Sequence, residues 1–259
     1  MLKQRIIRSL AFTLAVVSLS GQAMSISTYR IYLDSDNSSA SFLMFNKSAV
    51  QEKCRLSLVH NNFDENGKMS HVDGDDLPTN SAKPWIRFSP KNFTAEPLSP
   101  QTVRFSLRRK ANSEAKEYRS YLEVFCDEVE QVTAKSAKNP KQPSISIKPR
   151  LVQNVPIIVR TGKLKAQLSF SEFELIENKL FFNINRQGNR SVYGSLELIN
   201  KETDEVINYR KNISVYTDTN QVRYDLTVID VPKDQLAVRF VEDQQYGGSI
   251  THQQDVVLN

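Results

Sequence analysis

Residues 144–160 read Ser-Ile-Ser-Ile-Lys-Pro-Arg-Leu-Val-Gln-Asn-Val-Pro-Ile-Ile-Val-Arg. In an extended chain, successive side chains point to opposite sides. Ile145, Ile147 and Leu151 therefore share one face, with Ser146, Lys148 and Arg150 on the other. Pro149 sits among the apolar positions, and Pro156 follows. Proline cannot donate to a ladder, so the stretch predicts a strand at a sheet edge. A long edge strand with large aliphatic side chains is ordinarily an aggregation hazard. Two readings fit the pattern: the isoleucines pack into the chain's own core, or the edge adds a strand to another polypeptide.

The same period of two runs through the flanking sequence, and helical periodicity is scarce. Val103, Phe105 and Leu107 alternate with Arg104, Ser106 and Arg108. Leu180, Phe182 and Ile184 form a second such run, Val222, Tyr224, Leu226 and Val228 a third, and Leu236, Val238 and Phe240 a fourth. Turn residues punctuate them at Asp34-Ser35-Asp36-Asn37, Asn66-Gly67, Gln187-Gly188-Asn189 and Gly247-Gly248. Short punctuated strands predict an all-β chain of antiparallel sandwiches. A β-run ends and another begins at Arg160-Thr161-Gly162-Lys163, which places a domain boundary there. Residues 24–160 and 161–259 are then two domains of immunoglobulin-like size, with about seven strands expected in each. Asp127 to Pro143 is polar and charged and reads as a loop.

The first residues bear on compartment. Lys3, Arg5 and Arg8 precede an apolar run from Leu10 to Leu19, and Gly21-Gln22-Ala23 offers small residues for cleavage. This is the pattern of a secretory signal, and the apolar run is too short to span a bilayer. Removing residues 1–23 leaves 236 residues and takes away three bases and no acid, so the net charge falls from +5 to +2. That balance argues against a nucleic-acid or other polyanionic partner for the chain as a whole. Cys54 and Cys126 are the only cysteines. Each alternates with inward-facing aliphatics, and an even pair in an exported chain reads as a disulfide.

Catalytic signatures are absent from the sequence. His60, His71 and His252 are scattered without metal-ligand spacing and are expected on the surface. Asp73-Gly74-Asp75-Asp76 lacks the further ligands of a calcium loop. No phosphate loop, dinucleotide fingerprint or activated nucleophile is present, so no cofactor, metal or small-molecule substrate is expected.

Five local stretches carry a resemblance. They are Ser27-Thr28-Tyr29-Arg30-Ile31-Tyr32, Pro97-Leu98-Ser99-Pro100-Gln101-Thr102-Val103-Arg104, Glu117-Tyr118-Arg119-Ser120-Tyr121-Leu122, Val155-Pro156-Ile157-Ile158-Val159-Arg160 and Gly188-Asn189-Arg190. In order and spacing, the chain resembles the periplasmic chaperones of the chaperone–usher pilus pathway, in their archaic branch. The resemblance implies two immunoglobulin-like β-sandwich domains in a boomerang arrangement. It implies a periplasmic location, pilus subunits and an outer-membrane usher as partners, and possible self-association through the same edge. Carried over, Ile145, Ile147 and Leu151 would be inserted into the incomplete core of a pilus subunit, and Arg30 would meet the subunit's C-terminal carboxylate. The lysine that completes this anchor in many members falls on Pro156, which can neither carry charge nor donate a hydrogen bond. The alternative class is a secreted immunoglobulin-like structural or adhesive pilus component, which would lack its last strand.

Overall fold

The alternating apolar runs form strands, each pointing one set of side chains into a core. The computed structural model describes residues 24–64, 68–72, 77–108, 114–129, 151–229 and 231–258. The first strands are β1 (Ser25–Ile26), β2 (Ile31–Leu33), β3 (Ser39–Phe45), β4 (Glu52–Val59), β5 (Asn61–Phe63) and β6 (Met69–His71). They are followed by β7 (Ile86–Ser89), β8 (Asn92–Ala95), β9 (Pro100–Leu107), β10 (Lys116–Glu128) and β11 (Val152–Thr161). The remaining strands are β12 (Ala166–Ile176), β13 (Lys179–Gly188), β14 (Val192–Asn200), β15 (Glu205–Val215), β16 (Gln221–Thr227), β17 (Leu236–Glu242) and β18 (Thr251–Asp255). No helix among the described residues is long and apolar enough to cross a membrane.

Up to Thr161 the strands build two sheets, in the orders β1-β3-β9-β7 and β2-β11-β10-β4-β8, with β5 and β6 as a separate hairpin. From Ala166 onward they build two more, β12-β13-β16 and β15-β14-β17-β18. Each pair of sheets encloses its own apolar cluster, so the chain is two immunoglobulin-like β-sandwiches. Phe42, Val103, Phe105, Leu122 and Ile157 are central to the first core. Leu180, Phe182, Ile184, Leu196, Val238 and Phe240 are fully buried in the second. The alternating runs read from the sequence thus supply β9, β13, β16 and β17.

Cys54 and Cys126 face each other across β4 and β10 and are joined by a disulfide, with Cα atoms 4.1 Å apart. Cys54 is buried, and Cys126 packs against the same core.

Some expectations need correction. β10 continues through Glu128, so Asp127 and Glu128 belong to a strand and not to the expected loop. His60, expected on the surface, is 1% exposed. Residues 1–23, Asn66-Gly67, Asp73–Asp76 and the expected loop from residue 130 onward lie outside the described residues, as do Ile145 and Ile147.

A disulfide closing a loop this long stabilises mainly by restricting the unfolded chain. Replacing both cysteines with alanine should lower the unfolding free energy by up to about 4 kcal/mol. The readout is a lower urea midpoint, with a steeper slope as the unfolded chain expands; an unshifted midpoint would contradict a stabilising role for the bridge.

Candidate functional site

β11 is paired unequally along its two sides. On one side it runs antiparallel to β10 from Val152 to Thr161. On the other it meets β2, in parallel, only through Ile157, Ile158 and Val159. The segment from Val152 to Pro156 thus has no second strand among the described residues. Along the inward face, Val155, Ile157 and Val159 are 0–2% exposed and fill the first core. At Gln153 the polar side chain donates to the Met24 carbonyl oxygen at 3.1 Å. One inward position further out, Leu151 is 57% exposed. The apolar register of β11 therefore runs past the end of its own sandwich. In the sequence the same parity includes Ile147 and Ile145, which lie outside the described residues.

The opposite face of β10 and β11 meets the second sandwich. Glu117 lies opposite Arg160 in the register and accepts from its Nε at 2.9 Å. The same carboxylate accepts from the Ser191 backbone N–H at 3.0 Å, and Arg160 donates to the carbonyls of Ser191 (2.9 Å) and Gly247 (3.0 Å). All three side chains are buried. Next along β10, Arg119 pairs with Asp218, donates to the Asn61 carbonyl at 3.1 Å and lies 4.3 Å from the centre of the Tyr216 ring. Phe63 stacks on that ring at 5.2 Å. Tyr32 touches Gly247 so closely that a Cβ there would overlap its hydroxyl, and Gly247 also holds φ +70, which favours glycine. Burial, together with the hydrogen bond to Asp34, pushes the Tyr32 phenol up to about 12.

Arg30 lies in this joint. It is 1% exposed; its guanidinium donates to Ser214 Oγ at 3.0 Å and sits 4.2 Å over the Tyr193 ring. Its Nε is buried with no hydrogen-bond partner among the described residues. It also lines a cleft of about 360 Å³ together with Thr28, Ser39 and Tyr246. Pro156 is opposite Tyr121 on β10, on the same face as Ile158 and Arg160. Of the sequence-derived site residues, the structure thus places Leu151 on the exposed edge and Arg30 between the sandwiches.

Sequence reasoning missed most of the joint. Tyr193, Tyr216 and Asp218 lie far along the chain from their partners and share no motif with them. The one available signal was in Glu117-Tyr118-Arg119-Ser120-Tyr121-Leu122, all of which are buried. A strand covered on both faces loses its polar–apolar alternation, and the charged positions here face the second sandwich. His60, between β4 and β5, is buried beside the same joint, with Nε2 3.1 Å from Asn62 Oδ1. Burial, with the nearby Arg119 charge, pulls its pKa below the ordinary histidine value.

The fold is that of a two-domain immunoglobulin-like protein, its two β-sandwiches joined through buried charged and aromatic side chains. No family model and no curated protein matches the chain. Among solved structures it is similar in fold to chaperones of pilus assembly. One is a chain of the CsuC–CsuE chaperone–tip adhesin pre-assembly complex from the archaic Csu pili of Acinetobacter baumannii, at 11% identity, with 78% of this chain and 89% of that chain covered and a TM-score of 0.43. Another is the YadV chaperone, at 12% identity, with 90% and 99% covered and a TM-score of 0.49. A third is the CupB2 chaperone of Pseudomonas aeruginosa, at 14% identity, with 90% and 100% covered and a TM-score of 0.47.

Removing one partner of a buried pair leaves an uncompensated charge, at a cost of about 3–5 kcal/mol. Glu117→Ala should therefore lower stability by about that amount, whereas Glu123→Ala, on the same strand but partly exposed, should cost less than about 1 kcal/mol. Urea unfolding of the two variants checks this; equal, small losses would show that the joint does not depend on the pair.

Proposed function

We propose that this protein is a periplasmic chaperone that binds pilus subunits by lending them a β-strand and passes them to an outer-membrane usher. The observation that carries the proposal is the half-paired β11, whose inward apolar register runs from the core out to an exposed Leu151. A subunit with a missing strand needs both things this edge offers: unpaired backbone groups and alternating aliphatic side chains. Ile145, Ile147 and Leu151 are the inserted side chains in this reading. Each aliphatic side chain fully buried contributes roughly 1.5–3 kcal/mol, so the insertion supplies affinity while the ladder fixes register. Residues 1–23 are the export signal, 24–160 the subunit-binding domain and 161–259 the second domain.

Arg30 is the group assigned to the subunit's C-terminal carboxylate. Its support is the unpartnered Nε and the adjoining cleft. Pro156 supplies no second cation, so apolar insertion carries more of the binding than the charged anchor. The work is binding, with no bond made or broken.

The test is to mix the purified protein with a pilus subunit whose donor strand has been deleted. A soluble one-to-one complex is expected by size-exclusion chromatography. Ile147→Asp and Leu151→Asp should each weaken it by roughly tenfold or more. A complex that survives both substitutions unchanged would exclude strand donation.

A further inference from the structure

The outer face of the β1-β3-β9-β7 sheet carries a charge arrangement that strand donation does not use. Arg104 and Arg108 share that face of β9 and its continuation, separated by Ser106. Arg87 on β7 lies opposite Ser106, and the pairing continues to Arg108, whose N–H donates to the Trp85 carbonyl oxygen at 2.7 Å. Arg87 is therefore the diagonal neighbour of both other arginines, about 7–8 Å away with the Cβ atoms somewhat closer. All three are exposed, and none is in an ion pair with a described acidic residue.

The positions between them are hydroxyls. Ser89 and Ser41 flank Arg104 on the neighbouring strands, and Ser106 lies between Arg104 and Arg108, opposite Arg87. No outward-facing position of β1, β3, β7 or β9 is acidic. Like charges on one face repel, and an approaching anion relieves that repulsion. Further along the same face of β3, Leu43 and Phe45 are 42% and 36% exposed. Arginines combined with exposed apolar and aromatic side chains match the composition of protein interfaces.

We infer that this face is a second docking surface, for a protein partner that presents a cluster of carboxylates. Guanidinium groups bind carboxylates through paired N–H···O bonds, so a flat triad of arginines separated by hydroxyls can register several acidic side chains at once. The face belongs to the sheet opposite the one containing β11. A partner could therefore dock while the β11 edge is occupied, and the inference stands independently of strand donation.

The test uses the mature protein and a fluorescein-labelled oligoglutamate peptide, read by fluorescence anisotropy at two salt concentrations. The variant Arg87→Gln/Arg104→Gln/Arg108→Gln should weaken binding by about tenfold or more and flatten the salt dependence. The control Lys201→Gln/Lys211→Gln/Lys233→Gln removes the same charge from the second sandwich and should leave binding nearly unchanged. Equal losses in the two variants would show a non-specific charge effect and overturn the inference. So would a preference of the arginine face for phosphatidylglycerol vesicles over the peptide, since that would make the partner a membrane.

Discussion

The Glu117–Arg160 pair is the fixed point of the molecule. It closes one end of the β10–β11 ladder, and each member also bonds the Ser191 backbone of the second sandwich. A buried pair is stable only if its remaining donors and acceptors are satisfied, and here the Ser191 and Gly247 backbone does that. One end of β11 is thereby locked between two domains. The other end is held on one side only, and that inequality makes the strand both well placed and available.

The joint also shows why the second sandwich belongs in any account of the first. Arg30, Arg119 and Arg160 all project from the first domain into carbonyls, hydroxyls, rings or a carboxylate of the second. Cationic groups stacked on tyrosine rings gain most where water is excluded, which is the situation of Arg30 over Tyr193. A carboxylate entering beside Arg30 would meet a cation already desolvated and oriented, with one N–H unpartnered. Orientation set in advance lowers the ordering cost of binding.

Much of the fold was legible in the sequence because sheets write their burial as a period of two. The runs at Val103–Leu107, Leu180–Ile184 and Leu236–Phe240 became core-lining strands, and the two cysteines sit directly opposite each other. The edge expected over residues 144–160 holds only for Val152–Pro156, because β2 covers Ile157–Val159 and Pro149 lies outside the described residues. What stayed hidden depended on contacts distant in sequence. His60 has no local signal for burial, since its environment comes from the β5–β6 hairpin and Arg119. Asp127 and Glu128 looked like loop because their polarity was visible and their pairing with β4 was not. Arg30 was read as a binding residue from a motif, while its packing against Tyr193 and Ser214 required the second domain.

The central claim is that the segment leading into β11 gains a strand partner from an incomplete subunit. Backbone hydrogen exchange measured on the protein, alone and mixed with a donor-strand-deleted subunit, addresses it directly. The account predicts that the amides of residues 144–155 that do not bond β10 gain strong protection in the complex relative to the free protein, with little change around Ser191. A complex that forms with unchanged exchange in that segment, or with new protection confined to the second sandwich, would contradict it.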